Sequence, residues 1–186
     1  MDKMIMYEDN DLLVVHKPAG IATETARIGQ ADLVSELKNY RKKKGEDTYI
    51  GVVHRLDQPV EGLLVFAKDG ATAKKLSDEL QRGILTKKYA ALVAGVPQTS
   101  KSVLSDYLLK DGRANLSRVV PKKTRGAKAA SLCWRMLRHD EEVSLLEIEL
   151  YTGRHHQIRV QMAHAGFPLL GDFKYGSELS KGLSDR

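Results

Sequence analysis

Polar side chains that could take part in chemistry are concentrated at residues 52–68, between two apolar runs. His54, Arg55 and Asp57 lie there almost side by side. A carboxylate can attack an electrophilic carbon, stabilise positive charge that develops on it, or accept a proton. Such groups usually sit on loops held by strand ends, because the strands fix the loop while the loop exposes its side chains. Asp57 is therefore the first candidate for a catalytic residue.

Apolar runs bounded by turn residues predict the strands that would hold this loop. The predicted strands cover residues 12–15, 51–53, 63–67, 89–93, 130–137 and 143–150. A polar stretch at residues 139–142 joins the last two, and its length and composition predict an antiparallel hairpin.

Apolar residues at helical spacing predict helices near residues 33–40, 73–80 and 158–165. Gly83 marks the end of the second helix, because a left-handed residue is commonly required just beyond a helix. Strands outnumber helices and do not alternate with them regularly. This pattern predicts a mixed α+β fold, with a largely antiparallel central sheet and flanking helices.

Length and composition predict one compact domain over residues 1–186. Hydrophobic residues make up 42% of the chain and charged residues 29%, as in ordinary soluble globular proteins. No apolar run is long enough for a signal peptide or a membrane span, so we expect neither secretion nor membrane insertion. The single cysteine, Cys133, cannot form an intramolecular disulfide. Its neighbours predict a small buried residue in a strand, and a reducing cytoplasm fits best.

The formal net charge of +6 and the sequence pI near 9.3 favour polyanionic partners. Two segments are predicted to be exposed basic loops, at residues 40–45 and 117–128. The first is equally typical of a solvated run of charge, whereas the second is rich in Lys, Arg and Gly, which favours a flexible loop that contacts phosphates. Neither Gly-x-Gly-x-x-Gly nor the Walker pattern is present, so we expect no nucleotide cofactor.

His54-Arg55-Leu56-Asp57, with Gly-Leu-Leu-Val-Phe-Ala-Lys at residues 62–68, resembles the motif that carries the catalytic aspartate of the RluA-type pseudouridine synthase family. Residues 14–21 are similar to the family's first motif, in which a strand leads into Lys-Pro-x-Gly. Residues 87–95 resemble the strand that presents its active-site tyrosine, and residues 150–176 resemble its third motif. These motifs follow the family's order, and chance agreement of this kind is rare.

The resemblance implies an α+β catalytic domain that binds RNA and isomerises a uridine of ribosomal or transfer RNA to pseudouridine, without a cofactor. Asp57 matches the family's nucleophile. Many relatives carry a small RNA-binding domain at the front, for which there is no room before residue 12. We therefore expect a compact member. The sequence does not reveal the oligomeric state, and a monomer is favoured. The end of the chain at Arg186 predicts that the closing part of the catalytic domain is missing.

Arg159 matches the position whose guanidinium keeps the catalytic carboxylate charged in a water-poor cleft. A helix over residues 155–165 would put Ile158 beside it, so that Ile158 packs the uracil while Arg159 reaches Asp57. Tyr89 matches the residue whose ring stacks on the extracted base and whose hydroxyl accepts or relays the C5 proton. By residue type alone, Tyr89 would be a buried strand tyrosine.

A base stacked in RNA must be flipped out, and Arg55 is the predicted residue that fills the vacated space. The alternative for Arg55 is a surface arginine that contacts phosphate. His54 fits a substrate contact and a loop-stabilising hydrogen bond equally well. Arg154 and Gln157, in the third motif, are predicted substrate contacts.

No metal site is expected. His155, His156 and His164 would lie on one predicted helix, but adjacent histidines point to different faces, and the sequence has no His-Glu-x-x-His pattern. Glu61 and Gln161 depart from the family's usual residues. Glu61 could disturb the ionisation of Asp57 if it faced the cleft, and could equally point to solvent.

Two other functions stay open at this point. A binding or ribosome-assembly module could keep the fold and the basic surface without turnover, although intact Asp57, Tyr89 and Arg159 argue against it. A glycosidase could use Asp57 with Glu61, since its chemistry also acts at an anomeric carbon. A basic chain with a single tryptophan argues against a saccharide groove.

Overall fold

A computed structural model describes residues 2–25 and 29–176. The chain divides into two compact units, unit 1 (Met1–Leu85) and unit 2 (Thr86–Arg186). The expectation of a single domain over residues 1–186 stays a prediction. Residues 177–186, which border the part of the domain predicted to be missing, lie outside the described residues.

Unit 1 is built around an antiparallel sheet. Its elements are β1 (Ile5–Glu8), β2 (Leu12–Lys17), α1 (Leu33–Lys43), β3 (Gly51–Val52), β4 (Gly62–Ala67) and α2 (Gly70–Gln81), after a short 3-10 turn at Asp2–Met4. The strand order is β1-β2-β4-β3, and every neighbouring pair is antiparallel. Three predicted strands and two predicted helices are thereby confirmed, whereas β1 was not predicted.

Burial alternates strictly along β2, which is the pattern expected of a strand with one face on a core. Leu13 and Val15 pack inward with Leu64 and Phe66 of β4 and with Leu37 of α1. Side-chain caps fix where the helices begin: Asp32 accepts from the Ser35 amide at 2.7 Å and Asp69 from the Thr72 amide at 2.9 Å. Gly83 has φ +70°, so its predicted left-handed conformation is confirmed.

The predicted basic loop at residues 40–45 is wrong for most of its length, because residues 40–43 form the last turn of α1. Arg41 is buried, and its guanidinium donates to the backbone carbonyls of Tyr49 and, at 2.9 Å, Lys68. Its Nε also lies 3.2 Å from Glu46. A guanidinium with this many oxygen partners can be buried at low cost, and this arginine therefore joins separate segments of unit 1.

Unit 2 contains a second antiparallel sheet and one helix among its described residues. Its elements are β5 (Lys87–Ala94), β6 (Lys101–Asp111), β7 (Leu116–Val119), β8 (Lys128–His139), β9 (Val143–Leu150) and α3 (Gln157–His164). The strand order is β5-β9-β8-β6-β7. The predicted hairpin is confirmed as the antiparallel pair β8 and β9, and the remaining helix is confirmed as α3. Strands β6 and β7 were not predicted.

Two local predictions in unit 2 need correction. The segment at residues 117–128 is not a loop throughout, because residues 117–119 belong to β7 and Lys128 begins β8; Ser117 is buried. Cys133 lies in a strand as predicted but is only partly buried, since it points away from the core that its neighbours Leu132 and Trp134 help to form.

The prediction of a mixed α+β fold with largely antiparallel strands is confirmed in both units. Among residues 2–25 and 29–176, no helix has both the length and the apolar character needed to cross a membrane.

Candidate functional site

Asp57 lies in the loop between β3 and β4 of unit 1, where its side chain is partly buried. The amide of Val60 donates to the carbonyl of Asp57 at 3.0 Å, so the chain turns directly after the carboxylate. Gly62 follows with φ +146°, and a side chain there would come 3.4 Å from Leu56. The loop therefore returns into β4 through a position that suits glycine.

Lys17, at the end of β2, holds this loop through hydrogen bonds. Its side chain has no exposed surface, and its ammonium donates to the carbonyls of Pro18 at 3.1 Å, Ile21 at 2.7 Å and Gln58 at 3.2 Å. Burial lowers the pKa of Lys17, and the negative charge of Asp57 opposes that shift. A buried ammonium thus ties the segment after β2 to the residue that follows Asp57.

The segment at residues 20–24 is hydrogen-bonded to the Asp57 loop. Thr23 Oγ1 donates to the carbonyl of Leu56 at 2.9 Å and accepts from its amide at 3.3 Å. Gly20 and Gln58 exchange two further bonds, from the Gly20 amide at 2.8 Å and from the Gln58 Nε2 at 2.9 Å. The backbone is fixed on both sides of Asp57, as a site that positions a reactive carboxylate requires.

Arg55 stays at the surface, where its guanidinium lies 2.7 Å from Glu24. Both side chains are well exposed, so the ion pair is weak and easily exchanged for another partner. Arg55 and Asp57 line a cavity of about 330 Å³ together with Thr23 and Gln58. This cavity is a concave surface next to the candidate nucleophile.

His54 stabilises the loop, which is one of its two predicted roles. Its Nε2 accepts from the Val65 amide at 3.1 Å, so a neutral ring carries its proton on Nδ1. The side chain of Glu61 is exposed. Of the two orientations considered for Glu61, the structure therefore shows the solvent-facing one.

In unit 2, Tyr89 and Ile158 border the same hydrophobic cluster, whose members include Val93, Trp134 and Met162. Both side chains are partly buried, at the edge of the cluster. Both residues thus lie at the edge of one hydrophobic cluster, and their predicted contact with the uracil stays a prediction.

Arg159, on α3, forms an ion pair with Asp172, a residue that the sequence analysis did not single out. Its Nε and Nη2 donate to the two carboxylate oxygens of Asp172 at 2.7 and 2.6 Å. The guanidinium also lies 5.2 Å from the centre of the Tyr175 ring. The Gly-Asp and Tyr-Gly pairs of the third motif were the signal that could have pointed to Asp172 and Tyr175.

Asp172 is itself buried and organised. Burial alone would raise its pKa, but Arg159 and the amides of Lys174 and Tyr175 hold the pKa of this carboxyl below its ordinary value. The Tyr175 hydroxyl accepts from the Ser117 amide at 2.7 Å and bonds His156 Nδ1 at 2.8 Å. Arg159 is therefore oriented by a network that reaches β7.

Gln157 organises the turn before α3. It is only 3% exposed, and its amide nitrogen donates to the Ser131 carbonyl at 3.0 Å. Its Oε1 accepts from Thr152 Oγ1 at 2.7 Å and from the Arg154 amide at 2.9 Å. The structure gives Gln157 a positioning role, and its direct contact with substrate stays a prediction.

The other polar residues of this turn have identified partners. Arg154 is exposed, and its Nε donates to the Ala129 carbonyl at 2.8 Å. His155 bonds Ser117 Oγ at 2.9 Å and stacks on His156 at 3.7 Å between ring centres. Gln161, where the family often has histidine, is buried, and its amide donates to Asp106 at 2.7 Å.

Replacing Asp172 with asparagine should lower the free energy of unfolding at pH 7 by about 1.5–3 kcal/mol, because two charge-assisted hydrogen bonds are weakened. The pKa of Asp172 is lower in the folded chain, so its contribution is complete above about pH 4 and is lost as pH falls through the folded value. Urea unfolding at several pH values measures both effects. The exposed carboxylate of Glu141 provides the control Glu141→Gln, and an equal loss in that variant would refute a specific role for Asp172.

The structure thus gathers the predicted site residues into two sets. Unit 1 holds His54, Arg55 and Asp57; unit 2 holds the others, which are Tyr89, Arg154, Gln157, Ile158 and Arg159. The predicted pairing of Asp57 with Arg159 and Tyr89 joins the two sets and stays a prediction.

Comparison with known proteins gives this chain its family. A family model described as RNA pseudouridylate synthase matches residues 11–164, and the chain belongs to that family. Among solved structures, human RNA pseudouridylate synthase domain containing 4 superimposes with a TM-score of 0.82 at 25% identity, covering 95% of this chain and 70% of that one. Human RNA pseudouridylate synthase domain containing 1 gives 0.76 at 27% identity, covering 98% and 72%.

Curated relatives are more similar in sequence. An uncharacterized RNA pseudouridine synthase of Bacillus subtilis (strain 168), YhcT, is 37% identical over 176 residues, which are 92% of this chain and 57% of that protein. Ribosomal large subunit pseudouridine synthase D of Vibrio cholerae is 34% identical over 185 residues, which are 97% of this chain and 56% of that protein. The chain therefore spans little more than half the length of these relatives.

Proposed function

We propose that this chain catalyses the isomerisation of a specific uridine to pseudouridine within a folded RNA, with Asp57 as the nucleophile. The observation that carries the proposal is the way in which the loop around Asp57 is held. Its flanking residues Leu56 and Gln58 are both hydrogen-bonded to the segment after β2. Family membership supplies the reaction class. Ribosomal RNA is the first substrate to test, because relatives such as the Vibrio cholerae enzyme carry it in their names. Transfer RNA is the second.

The reaction needs no redox partner and no phosphate transfer. The bond from C1′ to N1 breaks, the uracil turns while it stays in the site, C1′ bonds to C5, and the proton on C5 leaves. Asp57 would attack C1′ or stabilise the positive charge that develops there, and release of the carboxylate completes the new bond.

Arg159 would keep Asp57 ionised. A guanidinium carries five N–H groups, and Asp172 uses two of them. The remaining N–H groups of the same guanidinium would then be available to Asp57. A neighbouring positive charge favours the ionised form of a carboxylate and fixes its oxygens.

Tyr89 and Ile158 would hold the extracted base. Their position at the edge of one hydrophobic cluster supports this role, since a uracil needs an apolar surface and a ring to replace lost stacking. The Tyr89 hydroxyl would receive the C5 proton. Arg55 would leave its exposed ion pair with Glu24 and fill the space vacated in the RNA.

The direct test is tritium release. Ribosomal and transfer RNA that carry tritium at C5 of uridine, prepared from cells lacking the gene, should lose label to water when incubated with the purified protein. Reverse-transcription stops after carbodiimide treatment should then map one new pseudouridine. RNA binding without release of tritium would reject the proposal and favour a binding or ribosome-assembly module with the same fold. The proposal places this activity in the cytoplasm and assigns it to a monomer, both on sequence grounds alone.

A further inference from the structure

Lys87 is the first residue of β5, and its side chain lies on the same face of the strand as Tyr89. Burial alternates along β5: Lys87 and Tyr89 are partly buried and Ala91 is buried, whereas Lys88 and Ala90 are exposed. Residues two apart on a strand are separated by about 7 Å. The ammonium-bearing side chain therefore neighbours the candidate base-stacking ring.

The ammonium of Lys87 also lies against the turn that follows β9. A Cβ built on Gly153 would come 3.3 Å from Lys87 Nζ, so the missing side chain of that glycine leaves room for the ammonium. The pairing of Lys87 with Leu150 brings the start of β5 to the end of β9. Lys87 thus joins the surface formed by the turn that Gln157 organises.

This cation has an unusual environment. Among residues 2–25 and 29–176, the ammonium of Lys87 has no hydrogen-bond acceptor and no ion-pair partner, and burial lowers its pKa. Its neighbour Lys88, on the opposite face of the strand, lies 3.8 Å from Glu147. A partly desolvated ammonium without a counter-charge costs free energy, and it binds an anion with less water to displace.

The surroundings of Gly153 are cationic as well. The same glycine borders a cavity of about 210 Å³ whose walls include Lys110, Lys128 and Arg154. No carboxylate belongs to that lining among the described residues. A phosphate of a nucleic acid would find no like charge on this surface.

We propose that Lys87 binds a phosphodiester group of the substrate RNA next to the target uridine, and so places the base over Tyr89. The inference rests on the proposed function, since it takes RNA as the ligand and Tyr89 as the base platform. A lysine suits this task because it acts as a point charge toward phosphate without reading sequence. Lys87 would therefore contribute to the affinity and register of the substrate.

The test compares Lys87→Met with Lys88→Met, two neighbouring lysines on opposite faces of one strand. Lys87→Met should weaken RNA binding about tenfold and lower the slope of log affinity against log salt by about 0.7, the value for one phosphate contact in a single strand. KM should rise in parallel with the dissociation constant for RNA, while kcat changes little. Lys88→Met should match wild type in all these readouts, and Lys87→Arg should restore most of the affinity.

A second measurement changes the RNA, and its first arm needs only wild-type protein, so that arm does not depend on the folding of any variant. RNA with a neutral methylphosphonate beside the target uridine should bind wild type about tenfold more weakly, and Lys87→Met should add no further loss on that RNA. The inference would be overturned if Lys87→Met kept the salt dependence of wild type, or if wild type bound the neutral linkage with full affinity. Tritium release by wild type would still support the enzymatic function in either case. Loss of affinity without any tritium release would keep the phosphate contact and reject the enzymatic function.

Discussion

Asp57→Asn is expected to reduce the rate of pseudouridine formation by at least about 10⁴-fold, which corresponds to about 5 kcal/mol of transition-state stabilisation. The amide has the shape of the carboxylate but can neither attack C1′ effectively nor balance the positive charge that develops there. RNA binding should stay within a few-fold of wild type. The measurement is single-turnover tritium release, combined with an RNA binding assay.

The loop should survive this substitution. The bonds that fix it run through the backbone of Leu56, the backbone and side chain of Gln58 and the side chains of Thr23 and Lys17. Because the charge of Asp57 also favours the ammonium of Lys17, the melting temperature of Asp57→Asn is expected to fall slightly while the loop stays folded. If Asp57→Asn lost turnover because it unfolded, the measurement would not demonstrate a role for the charge of the Asp57 carboxylate.

Glu61→Gln is the matched control, because Glu61 is a carboxylate on the same loop with an exposed side chain. This variant should retain tritium release within about threefold, as expected of a surface substitution. If Glu61→Gln were as inactive as Asp57→Asn, the two carboxylates would act as a pair. The single-nucleophile proposal would then fail.

Lys17→Met is expected to lower the free energy of unfolding by about 3–5 kcal/mol, the largest stability effect that we predict. Methionine fills a similar volume but leaves the carbonyls of Pro18, Ile21 and Gln58 without the ammonium, at about 1–3 kcal/mol for each orphaned buried group. The Gln58 carbonyl keeps the Gly20 amide as a donor, which limits the loss there. Urea unfolding measures the change.

Lys42→Met serves as the control, because Lys42 is an exposed lysine in the same unit. It should change the stability by less than about 0.5 kcal/mol. In conditions where Lys17→Met is still folded, its turnover should fall more than its RNA affinity, since the group expected to be misplaced is the proposed nucleophile and not the RNA-facing surface. Unchanged turnover in folded Lys17→Met would show that the lysine supports only the core.

Together these variants distinguish the proposed chemical role of Asp57 from the supporting role of Lys17. The sequence resemblance identifies Lys17 as the lysine of the Lys-Pro-x-Gly motif but assigns it no role. The structure connects that lysine to the residue after Asp57, so the first motif supports the second. In unit 2 the buried Asp172 likewise holds Arg159, through two hydrogen bonds to its guanidinium.

The elements with long periodic patterns were predictable from sequence because their signal is local. A half-buried strand repeats every two residues whatever its neighbours are, so β2, β4, β8 and β9 could be found without knowledge of their partners. The same holds for the apolar face of α1. The position of Asp57 was predictable because its loop leads directly into β4, one of these strands.

The strands that were missed have little apolar face of their own. β1 has only four residues, none of them buried, and only one of the eleven residues of β6 is buried. Their extended conformation is fixed by hydrogen bonds to β2 and to β7 and β8. Those partners are brought in by the fold, so no local pattern could identify them.

The sequence by itself thus determined the family, the order of the elements with a clear periodic pattern, and the residue types of the candidate site. Only the tertiary structure decided which polar residues are buried, and Lys17, Arg41, Gln157 and Asp172 are all buried against the tendency of their types. The reason is physical. A buried charge or amide is tolerated only where hydrogen-bonding partners surround it, and partners such as Gln58 for Lys17 or Lys68 for Arg41 lie far along the chain.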